Sequence, residues 1–147
     1  NKGVFIACAS IHGNTMQAAE KFKAMLEEKG CSRVVLADLT RDDIAECVED
    51  GFRHSHLVLM ASSYDAGVFA PMSDYLHHLQ SKGFCNRTVA LVENASWAPS
   101  AVRTMKAELE KMKDITLIDK TVTVKTRVND AALAELNDLA DEIMKTF

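Results

Sequence analysis

Three short stretches hold the residues best suited to chemistry. The first is Ser10-Ile11-His12-Gly13-Asn14-Thr15, which joins an apolar run to a helical pattern. It offers two hydroxyls, an amide, an imidazole, and a Gly that lets the backbone turn tightly. It has no Lys or Arg. Affinity for an anion would come from N–H groups at the helix start and from the helix dipole, with the hydroxyls and the amide adding donors. A phosphate monoester can be held this way without a basic side chain. The competing reading is an ordinary strand-to-helix turn with Asn14 or Thr15 as the N-cap.

The second stretch, Ser62-Ser63-Tyr64-Asp65-Ala66-Gly67-Val68-Phe69, mixes small, polar and aromatic residues ahead of a helix. Small residues let a planar ligand approach the backbone, and Tyr64 offers a stacking face. Equally, it reads as a helix-leading loop with Phe69 tucked into the core. The third, Asn94-Ala95-Ser96-Trp97-Ala98-Pro99-Ser100, carries the single Trp of the chain. A Trp in a polar loop serves either as a ligand contact or as a rim residue of the core.

The elements that must position these stretches alternate between apolar runs and helical periods. Val4 to Ala9 is a continuous apolar run, as in a strand buried on both faces. From Asn14 to Lys29 the pattern is helical, with Met16, Ala19, Phe22 and Leu26 on one face and Gly30 ending it. Arg33 to Leu39 reads as a second strand. Thr40, with Asp42 and Asp43, is expected to cap a helix carrying Ile44, Cys47 and Val48. Leu57 to Ala61 is a third strand, and Ser62 to Ala70 a loop. Pro71 opens a helix where its missing N–H costs nothing, with Met72, Tyr75, Leu76 and Leu79 inward. Thr88 to Val92 is a fourth strand, followed from about Pro99 by a helix bearing Val102, Met105, Leu109 and Met112. Ile115 to Ile118 is a fifth, with Thr121 to Val124 as a continuation after a break. The last helix starts near Asn129, with Leu133, Leu136, Ala140 and Ile143 inward. This alternation predicts an α/β fold: a doubly wound five-stranded parallel sheet with helices on both faces. Such sheets bind ligands beyond the carboxyl ends of their strands, where the three stretches fall.

The 147 residues fit one domain spanning 1–147, with 48% hydrophobic and 26% charged residues. No apolar run reaches the ~20 residues of a membrane span. A formal net charge of -4 without a Lys/Arg cluster argues against nucleic acid and anionic membranes as partners. Cys8, Cys31, Cys47 and Cys85 are widely spaced, which fits free thiols in a reducing, cytoplasmic setting, with Cys8 a buried small hydrophobe. His54, His56, His77 and His78 lack metal-ligand spacing. His77 and His78 are neighbours on a helix and so face different ways. There is no G-x-G-x-x-G and no G-x-x-x-x-G-K-[ST], and Cys8-Ala9-Ser10 lacks the acidic residues of a response-regulator receiver. The chain opens without Met, almost directly on a strand pattern, and is expected to be a segment of a longer protein.

Taken together, the three stretches resemble the flavodoxin-like domain of the A-type flavoproteins, or flavodiiron proteins. The first loop of that family reads approximately S-M-Y-G-N-T, against Ser10-Ile11-His12-Gly13-Asn14-Thr15. Its second, approximately G-S-P-T-Y-N-x-G-x-F-x-P, aligns without a gap to residues 60–71. Its third, approximately F-G-S-Y-G-W-S-G-G-A, aligns to residues 92–101. Ala95 stands where the family often has Tyr, Glu93 and Ser96 replace Gly, and Ala98-Pro99-Ser100 replaces a Gly-rich stretch.

The resemblance implies FMN as cofactor. Ser10, Ile11, His12, Gly13, Asn14 and Thr15 would surround its phosphate. Ser62, Ser63, Tyr64, Asp65, Ala66 and Gly67 would line one side of the isoalloxazine ring, and Asn94, Ala95, Ser96 and Trp97 the other. Glu93 or Asp65, near the ring, would disfavour the anionic reduced form. The expected role is electron transfer, as the relay half of an oxygen- or nitric-oxide-reducing flavodiiron protein. The partner would be a redox protein or a di-iron domain of the parent chain, and a homodimer is compatible. Two other readings stand: a flavodoxin-like docking or dimerisation module without FMN, and a small FMN-dependent quinone or nitro reductase.

Overall fold

A computed structural model describes residues 3–10, 14–64, 67–68, 70–94, 100–125 and 129–147. Strands and helices alternate: β1 (Val4–Ala9), α1 (Asn14–Glu28), β2 (Val34–Asp38), α2 (Ile44–Arg53), β3 (His56–Tyr64), β4 (Gly67–Val68), α3 (Ala70–Ser81), β5 (Cys85–Asn94), α4 (Ala101–Leu109), β6 (Lys113–Leu117), β7 (Val122–Val124) and α5 (Asp130–Met144). The sheet order is β2-β1-β3-β5-β6, all parallel, and β7 runs along β5 beyond the end of β6. Counting β6 and β7 as one broken strand, this is the expected five-stranded doubly wound sheet.

Strand alternation decides which helices each residue meets. Phe5, Ala7, Ala9, Leu57, Leu59, Ala61, Val89 and Leu91 face α2, α3 and α4. Val4, Ile6, Cys8, Val58, Met60, Ala90, Val92, Val122 and Val124 face α1 and α5. Both faces are covered, so the central strands are apolar throughout. Cys8 is fully buried, and burial, with the Asp38 and Glu20 charges adding to it, pushes its thiol up to about 12. All four cysteines are free.

Several boundaries differ from those read off the sequence. β3 continues through Ser62 and Ser63 to Tyr64, where a loop was expected. Gly67–Val68 folds back antiparallel on Ser63–Tyr64. Hydroxyl residues carry little hydrophobic signal, but their backbone still completes the ladder. β5 likewise extends from Cys85 to Asn94, because its half-buried polar start pairs with β6. Asp43 rather than Thr40 caps α2, accepting from Ala45 N at 3.1 Å. Thr40 instead donates from N and Oγ1 to Asp38 Oδ1 at 2.9 and 2.6 Å, closing the preceding turn. α3 begins at Ala70, one residue before Pro71. α4 ends at Leu109, leaving Met112 half-buried beyond it. Asn129 caps α5 as expected, accepting from Ala132 N at 2.8 Å. In α5 the inward set includes Leu139, while Leu133 is only half-buried.

His77 and His78 are both exposed. His77 Nε2 lies 3.3 Å from Glu108 Oε1 on α4. Among the described residues no cluster of His, Cys, Asp and Glu is placed to hold a metal ion, and no helix is long and apolar enough to cross a membrane.

Candidate functional site

The register brings the described ends of the three candidate stretches to one edge of the sheet. Ala9, the last residue of β1, is level with Ala61. Ser62 is level with Asn94, and Asn94 with Val124. Ser10, Ser62 and Asn94 therefore stand near one another at the carboxyl ends of adjacent strands, as the rule for open α/β sheets anticipates. Asn14 opens α1 directly above this edge.

The two serines at the end of β3 serve opposite faces, because successive strand residues point opposite ways. Ser62 belongs to the α1 face. Its hydroxyl and that of Thr15, in the first turn of α1, share a buried hydrogen bond at 3.3 Å. Thr15 is 1% exposed. The first and second stretches thus meet through a pair of hydroxyls beneath the start of α1.

Ser63 belongs to the α4 face. Its Oγ accepts from Ser100 N at 3.0 Å and Ala101 N at 3.1 Å, and donates to Glu93 Oε1 at 3.4 Å. Glu93, only 5% exposed, also accepts from Val102 N at 3.1 Å and from Thr123 Oγ1 at 2.9 Å. Sequence reading took Glu93 for a loop residue, one of two acidic residues whose effect depended on lying near a ring; it belongs to β5. The structure turns its carboxylate inward among β3, β7 and the start of α4. Thr123, level with Glu93 on β7, was not singled out. The alternation that puts Val89 and Leu91 on the α4 face extends to Glu93, and this period of two was the available signal.

Of the remaining candidates, Tyr64 ends β3 opposite Gly67 in β4, and Asn94 is half-buried at the end of β5. Ile11, His12, Gly13, Asp65, Ala66, Ala95, Ser96 and Trp97 lie outside the described residues.

No protein-family model matches the sequence, and no curated protein sequence matches it. Solved structures do match. Rubredoxin:oxygen oxidoreductase from Desulfovibrio gigas superposes with a TM-score of 0.90 at 16% identity, over 99% of this chain and 35% of that one. The Flv1 flavodiiron core from Synechocystis gives 0.86 at 14% identity, over 98% and 35%. A flavodoxin from the domain Archaea gives 0.85 at 17% identity, over 99% and 98%. The chain thus spans about a third of the length of the flavodiiron proteins and nearly the whole of the flavodoxin. At such identities the likeness is one of fold, and it agrees with the loop resemblance: this chain has the flavodoxin-like α/β fold shared by flavodoxins and the flavodoxin-like part of flavodiiron proteins.

Proposed function

We propose that the chain binds FMN at the carboxyl edge of its sheet and relays electrons within a longer flavoprotein of the flavodiiron type. The observation that carries this reading is the buried Thr15–Ser62 hydroxyl pair beneath the start of α1, with Ser10 and Asn94 brought alongside by strand register. A helix start with hydroxyl donors suits a phosphate ester, since its N–H groups and dipole favour an anion without a basic side chain. Thr15 and Ser62 would hold the phosphate end of FMN, with Ser10 and Asn14 beside them. Tyr64, Gly67 and Asn94 would line the ring end, with residues 95–97. When bound, FMN supplies the chemistry, taking up and passing on electrons singly or in pairs. The chain's part is to orient the flavin and limit water around it. The electron partner would be a di-iron domain of the parent chain or a separate redox protein, in the cytoplasm.

Purified protein titrated with FMN, and in parallel with riboflavin, tests this. Thr15→Val removes a donor to a charged group, a loss of about 1.5–3 kcal/mol, or about ten- to a hundredfold in FMN affinity. Riboflavin, which lacks the phosphate, should bind the variant and the wild type alike. Colourless protein that ignores added FMN would sink the proposal and favour a docking module. Rapid bleaching of the flavin by NADH alone would favour a stand-alone reductase.

A further inference from the structure

The two edges of the sheet are finished differently. At the end of β2 the chain blunts its own edge. Asp38 N donates to Asp42 Oδ2 at 2.7 Å, and Asp38 O accepts from Asp42 N at 2.8 Å and Arg41 N at 3.1 Å. The turn into α2 thus occupies the outer side of that strand. β6 forms the other edge. Ile118 N donates to Val89 O at 2.9 Å, so Ile118 and Thr116 turn their backbone groups toward β5. Ile115 and Leu117 are one step out of phase and turn theirs outward, where no described residue hydrogen-bonds them. Their side chains lie on the α4 face. α4 rests mainly on β3, β4 and β5, so both stay only half-buried. Thr116, on the opposite face, is exposed.

An open edge is ordinarily guarded by charge or by a kink. Here the guards stand at the two ends of the segment. Lys113 precedes Asp114, whose φ of 55° bends the strand, and Asp119 follows at the far end. Lys113 and Asp119 are both exposed, and neither makes an ion pair among the described residues. Their order makes the segment complementary to itself. When two copies are laid antiparallel about a two-fold axis at Thr116, Lys113 comes level with Asp119 of the second copy, and Ile115 with Leu117. Each Ile115–Leu117 pair then exchanges both of its N–H and C=O bonds, and Thr116 meets Thr116, a favourable cross-strand pair. An unrelated strand would have to carry an anion, a branched apolar pair and a cation in matching order. A second copy carries them by symmetry.

We propose that β6 is a dimerisation edge: two copies pair antiparallel through Ile115–Leu117 and join their sheets, with Lys113 of each copy against Asp119 of the other. The joined edge runs beside the amino half of β5, Cys85 to Val89, and away from Asn94. The carboxyl edges of both sheets stay open and point in opposite directions. The pairing is therefore independent of the FMN reading.

Sedimentation velocity of the purified protein from ~1 μM to ~1 mM tests this, and a reversible monomer–dimer equilibrium within that range is expected. Lys113→Glu and Asp119→Lys each set like charges against one another at two symmetry-related contacts, and each should weaken the dimer about tenfold. The two combined reverse the pair and should restore most of the affinity. Both positions are exposed, so these variants should fold, which circular dichroism checks. Hydrogen exchange at the Ile115 and Leu117 amides should slow as concentration rises, while exchange at Val34 and Leu36 on the other edge should not change. Wild-type protein that stays monomeric at ~1 mM would overturn the proposal. A dimer indifferent to the single reversals, or one that the double reversal leaves as weak as either single, would overturn it too, since the contact would then lie elsewhere.

Discussion

Replacing Gly51 by alanine should destabilise the protein, and deleting one distant oxygen should reverse the sign. Gly51 lies in α2, where alanine is ordinarily favoured over glycine by about 0.5–1 kcal/mol. Here a Cβ at position 51 would meet the Tyr75 hydroxyl oxygen at 2.7 Å. Tyr75 is fully buried and cannot swing away cheaply, because its O–H donates to the Cys47 carbonyl at 2.8 Å. Burial, with the Cys47 and Asp50 charges adding to it, pushes the phenol well above its ordinary range and keeps it a donor. Overpacking of this kind costs about 1–3 kcal/mol. Set against the helix gain, Gly51→Ala should lose about 1–2 kcal/mol, which lowers Tm by about 3–6 °C for a chain of this size. In a Tyr75→Phe background the offending oxygen is gone. The next neighbours of the new Cβ are Leu79 Cδ2 at 3.4 Å and the ring carbon at 3.8 Å, both ordinary contacts. There Gly51→Ala should be neutral or stabilising by up to about 0.5–1 kcal/mol. Urea unfolding of the four proteins, followed by far-UV circular dichroism and by Trp97 emission, measures the cycle. Equal destabilisation by Gly51→Ala in both backgrounds would refute the reasoning.

Two further predictions concern the opposite end of the sheet. Burial holds the His56 imidazole below its ordinary value of 6.5, and its two nitrogens pair with Ser55 Oγ at 2.6 Å and Thr146 Oγ1 at 2.7 Å. Below pH 6.5 the unfolded chain then binds a proton that the folded one resists, so stability is full above 6.5 and falls as pH drops below it. His56→Gln should flatten that part of a plot of urea midpoint against pH, and an unchanged slope would contradict it. Arg87 donates from Nε to His54 O at 3.0 Å, from Nη1 to Cys85 O at 2.7 Å and from Nη2 to Phe52 O at 2.7 Å, with Phe84 5.5 Å away. Arg87→Met should cost about 2–3 kcal/mol by chemical denaturation, with flavin affinity unchanged because Arg87 lies near the amino end of β5. A loss below about 0.5 kcal/mol would show those bonds to be incidental.

The sequence made the buried strands legible because helices cover both faces of the sheet. A run such as Val4 to Ala9 has few other uses in a domain of this size. Helix stripes were equally clear where they pack on the sheet, as at Met72, Tyr75, Leu76 and Leu79. The strand ends were not. Ser62 and Ser63 give no hydrophobic contrast, and their pairing is fixed by neighbours distant in sequence. The proposed phosphate side was visible only as a composition, hydroxyls and an amide at a helix start, and the structure adds the contact between Thr15 and Ser62. Glu93 was read as a loop residue because its strand parity was not weighed, and it lies in β5 with its carboxylate toward the start of α4. In a strand that ends at a ligand edge, parity separates a side chain aimed into the protein from one aimed at the ligand.

The back-to-back placement of Ser62 and Ser63 makes the end of β3 intolerant of a change in length by one residue. Inserting or deleting one residue just before them would send each hydroxyl to the other side, so that both helix starts would lose their partners at once. Substitution carries no such penalty. Either serine can be altered while the other keeps its helix. Selection can therefore tune the hold on one helix start while the other stays as it was.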